Sequence, residues 1–165
     1  MIHTILEKKQ FSKDVFYFRV AAPEIARQRK AGQFVIIQLD IDYGERIPLT
    51  IADASPQEGW IALVIQAVGA STIKLCQKKV GESIAAILGP IGNPTHITKV
   101  GKVVCVGGGI GTAPLHPIAQ AYKRAGNEVI IIIGGRTKEL VIFEEEMRKI
   151  ADELTVSYTH LTLPT

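Results

Sequence analysis

The stretch KVVCVGGGIGTAPLHPIAQAY (Lys102–Tyr122) decides how the second half of this chain folds. Lys102–Val106 is a continuous apolar run, as expected of a strand covered on both faces. Leu115, Ile118, Ala119 and Tyr122 follow at i, i+3, i+4 and i+7, the stripe of an amphipathic helix that Gly126 ends. Between strand and helix stand Gly107, Gly108, Gly109, Ile110, Gly111, Thr112, Ala113 and Pro114. Glycines allow the positive φ of a tight turn and let backbone N–H groups come close to an anion. Pro114 reads as the first helical residue, where its missing N–H costs no intrahelical bond. A helix N-terminus is thereby presented to a phosphate or pyrophosphate. Glycine alone would mark only a turn. Four glycines and a proline between an apolar strand and an amphipathic helix point to nucleotide binding.

Downstream, Val129–Ile133 is a second apolar strand, and Phe143, Met147, Ile150 and Leu154 mark a second helix with Glu144, Glu145, Lys149 and Glu153 turned outward. Strand–helix–strand–helix implies parallel strands joined by crossover helices. The loop departs from the G-x-G-x-x-G dinucleotide fingerprint, because Pro114 stands where the last glycine would be. The second strand is followed by Gly134, Gly135 and Arg136 rather than by an acid for the ribose hydroxyls. Arg136 reads either as a partner for an adenosine phosphate or as a solvated loop charge.

Residues 1–97 read differently. Val15–Val20, Gln33–Leu39, Arg46–Ala52, Trp60–Gln66 and Ser83–Leu88 are short apolar runs bounded by turn residues such as Ala31-Gly32, Gln57-Glu58-Gly59 and Gly89-Pro90. Short strands at close spacing predict a barrel or sandwich. One helix interrupts them from Ser71 to about Lys79, with Ile73, Leu75 and Cys76 inward and Gly81 as its stop. The expected organisation is therefore an antiparallel β-barrel over 1–97 and an incomplete parallel α/β nucleotide-binding domain over 98–155.

Of the 165 residues, 47% are hydrophobic and 21% charged, which supports a buried core and excludes disordered, collagen-like and coiled-coil chains. Nineteen Lys and Arg against 16 Asp and Glu leave +3, with the charges interspersed, so no nucleic-acid partner is expected. The longest apolar runs fall short of the roughly 18 residues of a membrane helix. The opening MIHTILEKKQ lacks the apolar centre of a signal peptide. A cytoplasmic protein without a membrane partner is expected. Cys76 and Cys105 make neither a disulfide framework nor a zinc site. His3, His96, His116 and His160 have no metal-ligand spacing, and His116 reads as a solvated or satisfied side chain.

AGQFV (Ala31–Val35), GERIPLTIAD (Gly44–Asp53), VGAST (Val68–Thr72), GPIGNP (Gly89–Pro94) and VCVGGGIGTAPLHPI (Val104–Ile118) together resemble the ferredoxin–NADP reductase superfamily. The similarity is to the branch holding the small subunits of NADH-dependent ferredoxin–NADP oxidoreductase and sulfide dehydrogenase, with the dihydroorotate dehydrogenase electron-transfer subunit near by. The resemblance implies a Greek-key barrel that binds FAD and an α/β domain that binds NAD(H) or NADP(H). Thr50 matches the hydroxyl near the flavin's reactive nitrogen, and Leu49 occupies an aromatic position of the family's R-x-aromatic-Ser/Thr element, with Pro48 before it. Arg46 lies one residue further from Thr50 than the family arginine. Its implied partner is the FAD pyrophosphate. Gly69, Ser71 and Thr72 match the helix start that receives the same pyrophosphate, and Ile65 and Gln66 the strand end beside FAD; Ser71 could equally be an ordinary helix cap. Gly107, Gly108, Gly109, Ile110, Gly111, Thr112, Pro114 and Arg136 are the implied NAD(P) residues.

The implied activity is hydride transfer between NAD(P)H and FAD, with single electrons passed to an iron–sulfur centre and a larger catalytic partner subunit, and ferredoxin as a further partner. A non-catalytic nucleotide-binding module is the alternative. Members of this branch carry [2Fe–2S] cysteines near their C-terminus, which the resemblance places in a segment missing here. VSYTHLTLPT (Val156–Thr165) matches a transposase sequencing adapter translated as protein, so 156–165 is expected to be a non-native tail. Val156 fits either source, and a natural variable terminus is the competing reading. Two native strands are then expected in the second domain, and the fragment is expected to be inactive.

Overall fold

The structure is a computed structural model that describes residues 2–42 and 44–158. It divides into two units, Met1–His96 and Ile97–Thr165. In the first, β1 (His3–Gln10), β2 (Val15–Ala21), β3 (Phe34–Gln38), β4 (Arg46–Ser55), β5 (Trp60–Gln66), β6 (Ser83–Ile84) and β7 (Ala86–Ile91) form a sheet in the order β6-β1-β2-β5-β4-β3-β7. Its neighbours all pair antiparallel. β5 takes the centre because WIALVIQ is apolar at nearly every position and buried from Trp60 to Ile65. Ile84 and Ile87, from opposite ends of the strand order, join one core with Ile5, Phe18, Val35, Ile37, Ile51 and Leu63. Sharing that core curls the sheet into a barrel.

Two short helices belong to this unit, α1 (Pro23–Gln28) and α2 (Ala70–Gln77). Helix α2 begins one residue before the expected Ser71, and Leu75 and Cys76 are buried as expected. Ile73 is instead 43% exposed. Only Leu75 and Cys76 of this short helix are buried. The run expected as one strand over Ser83–Leu88 is broken at Ala85 into β6 and β7.

In the second unit, β8 (Lys102–Gly108), β9 (Glu128–Gly134) and β10 (Glu153–Ser157) form a parallel sheet in the order β10-β9-β8. Helices α3 (Thr112–Arg124) and α4 (Glu144–Ile150) make the crossovers. Since the strands step in one direction across the sheet, right-handed crossovers put both helices on one face, where they touch each other. Cys105, Val129, Ile131 and Ile133 are buried there with Ala113, Ala119 and Met147. The other face leaves Val104 55% and Val106 66% exposed. Among the described residues this apolar run is covered on one face only, where cover on both was expected.

Leu154 also departs from expectation. Its spacing from Met147 and Ile150 continues a helical stripe, but α4 stops at Ile150 and Ala151 is extended. Leu154 pairs with Ile131 in β10, and Val156 and Ser157 pair with Ile133 and Gly134. Among its described residues the unit therefore has three strands rather than two, and the period-two pattern of ELTVS wins over the helical spacing. Residues 159–165 of the expected tail lie outside the described residues.

Two side chains brace this unit. Asn127, 3% exposed, accepts the N–H groups of Val100 at 2.7 Å and Gly101 at 3.0 Å. Its amide donates to the carbonyls of Thr98 and Tyr122 at 3.0 and 2.9 Å. All of its bonding capacity ties the approach to β8 to the end of α3. Asp152 accepts the Val129 N–H at 2.7 Å and pairs with Lys123 at 2.6 Å. The Lys123 bond first, then the Val129 N–H, holds its carboxyl below the ordinary value.

Asn127→Ala should cost about 2–4 kcal/mol in denaturant unfolding, because it strands buried donors and acceptors. A depressed carboxyl adds stability that is complete above its unfolded pKa and is lost as pH falls through the folded value. Asp152→Asn should therefore remove part of the acid-side fall in thermal midpoint that sets in below about pH 5. Parallel pH profiles for the two proteins would contradict this.

Candidate functional site

β4 and β5 part company halfway along their length. β4 pairs with β3 throughout Arg46–Thr50, but with β5 only from Ile51 onward, starting at Ile51 opposite Leu63. Beyond Leu63, the residues Val64, Ile65 and Gln66 pair with β2. A register shift between Ile51 and Asp53 marks the divergence. The Ile51 N–H is given to the Gln33 carbonyl at 3.3 Å, on the β3 side. Alternation along a strand then turns the amide positions of Arg46, Pro48 and Thr50 toward the open side. Pro48 fits there because it has no N–H to leave unpaired.

Against this opened edge lies the start of α2. Glu45, Arg46, Ile47 and Pro48 face Val68, Gly69, Ser71 and Thr72 across a groove of about 190 Å³. That is smaller than the roughly 300–1,000 Å³ of a pocket for a drug-sized ligand, and suits phosphate groups rather than a whole dinucleotide. Gly69 is the N-cap of α2. The Thr72 hydroxyl accepts the N–H groups of Gly69 at 2.9 Å and Val68 at 3.2 Å, and donates to the Gly69 carbonyl at 2.9 Å. It is committed to shaping the turn. The Ser71 hydroxyl donates to the Glu45 carboxylate, so Ser71 is a helical residue and not the cap. What α2 offers an anion is its first-turn N–H groups, in a groove that Arg46 also lines.

The expected FAD residues therefore sort into three groups. Arg46, Pro48, Gly69, Ser71 and Thr72 share the groove. Leu49 packs on the barrel core and Ile65 is buried in it. Thr50, half-buried opposite Phe34, and Gln66 lie on the diverging strand ends. The Gln66 amide donates to Asp14 at 2.9 Å, and this bond is the main reason the Asp14 carboxyl sits below its ordinary value. Glu45, Ile47 and Val68 are the groove residues that sequence reasoning missed. Each lies next to a residue that was singled out.

In the second unit, Gly107 and Gly108 finish β8 opposite Ile133 and Gly134, and Gly109–Gly111 form a 3-10 turn into α3. The glycines serve different ends. Gly109 has φ +53°, a left-handed conformation. A Cβ at Gly107 would stand 2.9 Å from Leu115 Cδ2 and 3.3 Å from Thr112 Cα, so close strand–helix packing excludes it. Gly111 has φ −63° and nothing within 4 Å of an added Cβ. The chain's own geometry does not require glycine there.

Thr112, 1% exposed, opens α3, and Pro114 is its third residue rather than its first. The proline still costs nothing, since the first four N–H groups have no intrahelical partner. Ile110 is exposed beside the turn. His116, expected to be solvated or satisfied, is 2% exposed and stacks on Phe143 at 5.1 Å. Exposed Arg136 follows β9, at the same carboxyl end of the parallel strands as the glycine turn, where α/β sheets bind ligands. Cys76 and Cys105 are buried and belong to different units. Among the described residues no group of three or more His, Cys, Asp or Glu could hold a metal.

No protein-family model matches the chain. A Thermotoga maritima protein described as a dihydroorotate dehydrogenase B (NAD(+)) electron transfer subunit homolog is 43% identical over 156 residues, covering 94% of this chain and 55% of that protein. An uncharacterized Clostridium beijerinckii protein is 36% identical, with the same 94% and 55% coverage. The chain thus spans about half the length of the curated relatives it matches. The NADH-dependent reduced ferredoxin–NADP oxidoreductase, solved in connection with flavin-based electron bifurcation, superposes with TM-score 0.88 at 43% identity, over 94% of this chain and 56% of that one. The cytochrome b5 reductase domain of Ulva prolifera nitrate reductase shares the fold at TM-score 0.73 and 18% identity, over 94% and 71% of the two chains. The chain has the ferredoxin reductase-type fold, and its 43% identical relatives extend that likeness to the sequence.

Proposed function

We propose that this chain is the FAD- and NAD(P)H-binding part of a flavoprotein electron-transfer subunit. It passes a hydride between NAD(P)H and FAD, and single electrons onward to an iron–sulfur centre and a larger catalytic partner subunit, with ferredoxin as a further partner. One observation carries the reading: each unit ends a strand at a helix N-terminus built to receive an anion. In the first unit that is α2 beside the opened edge of β4, and in the second α3 behind the glycine turn. The 43% identical relatives, an electron transfer subunit homolog and an NADH-dependent reduced ferredoxin–NADP oxidoreductase, support it. A dihydroorotate dehydrogenase electron-transfer subunit differs from this proposal in its partner and not in its site.

The pyrophosphate of FAD fits the first groove. Arg46 would neutralise it together with the first turn of α2, and the flavin would lie along Pro48–Thr50, with the Thr50 hydroxyl near its reactive nitrogen. NAD(P)H would bind at Gly107–Thr112, where the open space at Gly111 admits a pyrophosphate and Arg136 reaches an adenosine phosphate. When bound, FAD supplies the chemistry, taking a hydride from nicotinamide and releasing electrons singly. The chain positions, neutralises and excludes water; no acid–base pair is needed. The described residues offer no [2Fe–2S] ligand set, so the proposal places that centre outside this chain's 1–165. A cytoplasmic site of action goes with it.

The test is an anaerobic titration of the FAD-loaded protein with NADH and, separately, NADPH, followed by flavin absorbance. Bleaching is expected; a colourless protein that binds nucleotide without flavin would instead indicate a non-catalytic binding module. Thr50→Val should slow flavin reduction more than it weakens FAD binding. Gly111→Ala should leave stability within about 0.5 kcal/mol, since its φ suits alanine, while raising the NAD(P)H concentration needed for half-bleaching. Gly107→Ala should destabilise by about 1–3 kcal/mol through overpacking.

A further inference from the structure

Helix α2 has only eight residues, too few to hold its shape alone in water. Its N-terminus opens on the FAD groove, and its C-terminus is held from another strand. Lys8 of β1 donates from Nζ to the carbonyls of Cys76 at 2.5 Å and Lys78 at 2.9 Å. The same ammonium lies 5.2 Å from the Phe16 ring centre and 5.6 Å from that of Phe18. These four contacts fix one cation at the negative end of the helix dipole, partly sheltered from water, where such charges act most strongly. Cys76 sits in the last turn, 5% exposed, its thiol pushed up to about 11 by burial. The thiol stays unreactive only while that turn stays packed.

We infer that Lys8 is a positioning residue for the FAD pyrophosphate: by latching the C-terminus of α2 to the barrel, it holds the first-turn N–H groups at the other end in register with Arg46. The inference rests on the assignment of FAD to the α2 groove. Latch and ligand grip opposite ends of one short rigid body, so each stabilises the state the other needs. FAD binding should therefore tighten the turn that carries Cys76, and loss of the latch should weaken FAD.

The experiment compares the whole wild-type chain with Lys8→Met, which keeps an unbranched stem over Phe16 and Phe18, and Lys8→Arg, which keeps the charge. FAD affinity is read from flavin fluorescence. Packing of α2 is read from the rate at which an aromatic disulfide reagent modifies Cys76, with Cys105 as an internal control in the other unit. Lys8→Met should raise the FAD Kd about tenfold and speed modification of Cys76 but not of Cys105. Lys8→Arg should stay within about twofold of wild type, and saturating FAD should protect Cys76 in wild type. Unchanged Kd and unchanged Cys76 reactivity in Lys8→Met overturn the inference while leaving the FAD assignment intact. Equal exposure of both cysteines, without rescue by arginine, overturns it too, as the mark of general unfolding. A wild-type chain that binds no FAD overturns the assignment and the inference together.

Discussion

A strand that leaves its neighbour must do something with the backbone groups it takes with it. β5 is buried along nearly its whole length and β4 cannot follow it past Ile51, because the register shift at Ile51/Asp53 sends the two strands apart. From there to Arg46 one side of β4 has β3 and the other has no strand. Buried or half-buried amides in that position need partners. The protein answers by removing one donor with Pro48 and by bringing the start of α2 against the opening. Arg46, the Thr72-shaped turn and the Lys8 anchorage of α2 all matter because of that parting.

The second unit solves a related problem by direction rather than by divergence. Parallel strands deliver their carboxyl ends to one edge, so Gly107–Gly111 and the turn that carries Arg136 meet there without any special register. Its glycines divide the labour: Gly109 supplies the φ, Gly107 the close packing, and Gly111 only free space. A position whose glycine is not explained by the protein's own atoms is where a ligand's atoms are the natural explanation. Among the described residues, Val104 and Val106 stand exposed on the face away from the helices.

Much of this was legible in residue order. Strong apolar runs such as WIALVIQ and KVVCV declared themselves as strands, and GGGIGTAP placed its turn where the structure has it. What escaped was governed by tertiary context. β1, HTILEKKQ, hides its pattern because its second half carries charges that contact neighbouring strands and α2 rather than a core. Leu154 kept helical spacing from Met147 while belonging to a strand, since one leucine satisfies both periods. At the site, the hydroxyls of Ser71 and Thr72 drew notice as phosphate ligands, yet each already has an internal partner. Glu45 was missed because residue type alone does not reveal that a carboxylate lies beside a helix start. In the same way, nothing in the order of Lys8 and Cys76 announces that an ammonium 68 positions away holds that carbonyl.

Pro48 has a consequence that concerns the chain before any cofactor reaches it. A half-strand with one free side is a template on which another polypeptide can lay a strand of its own. Strand addition needs donors at alternate positions, and Pro48 removes the middle one of the three that face outward, with the Arg46 charge at the flank. The residue that leaves no unpaired donor at the parting thus also disfavours edge-to-edge pairing between copies of the chain.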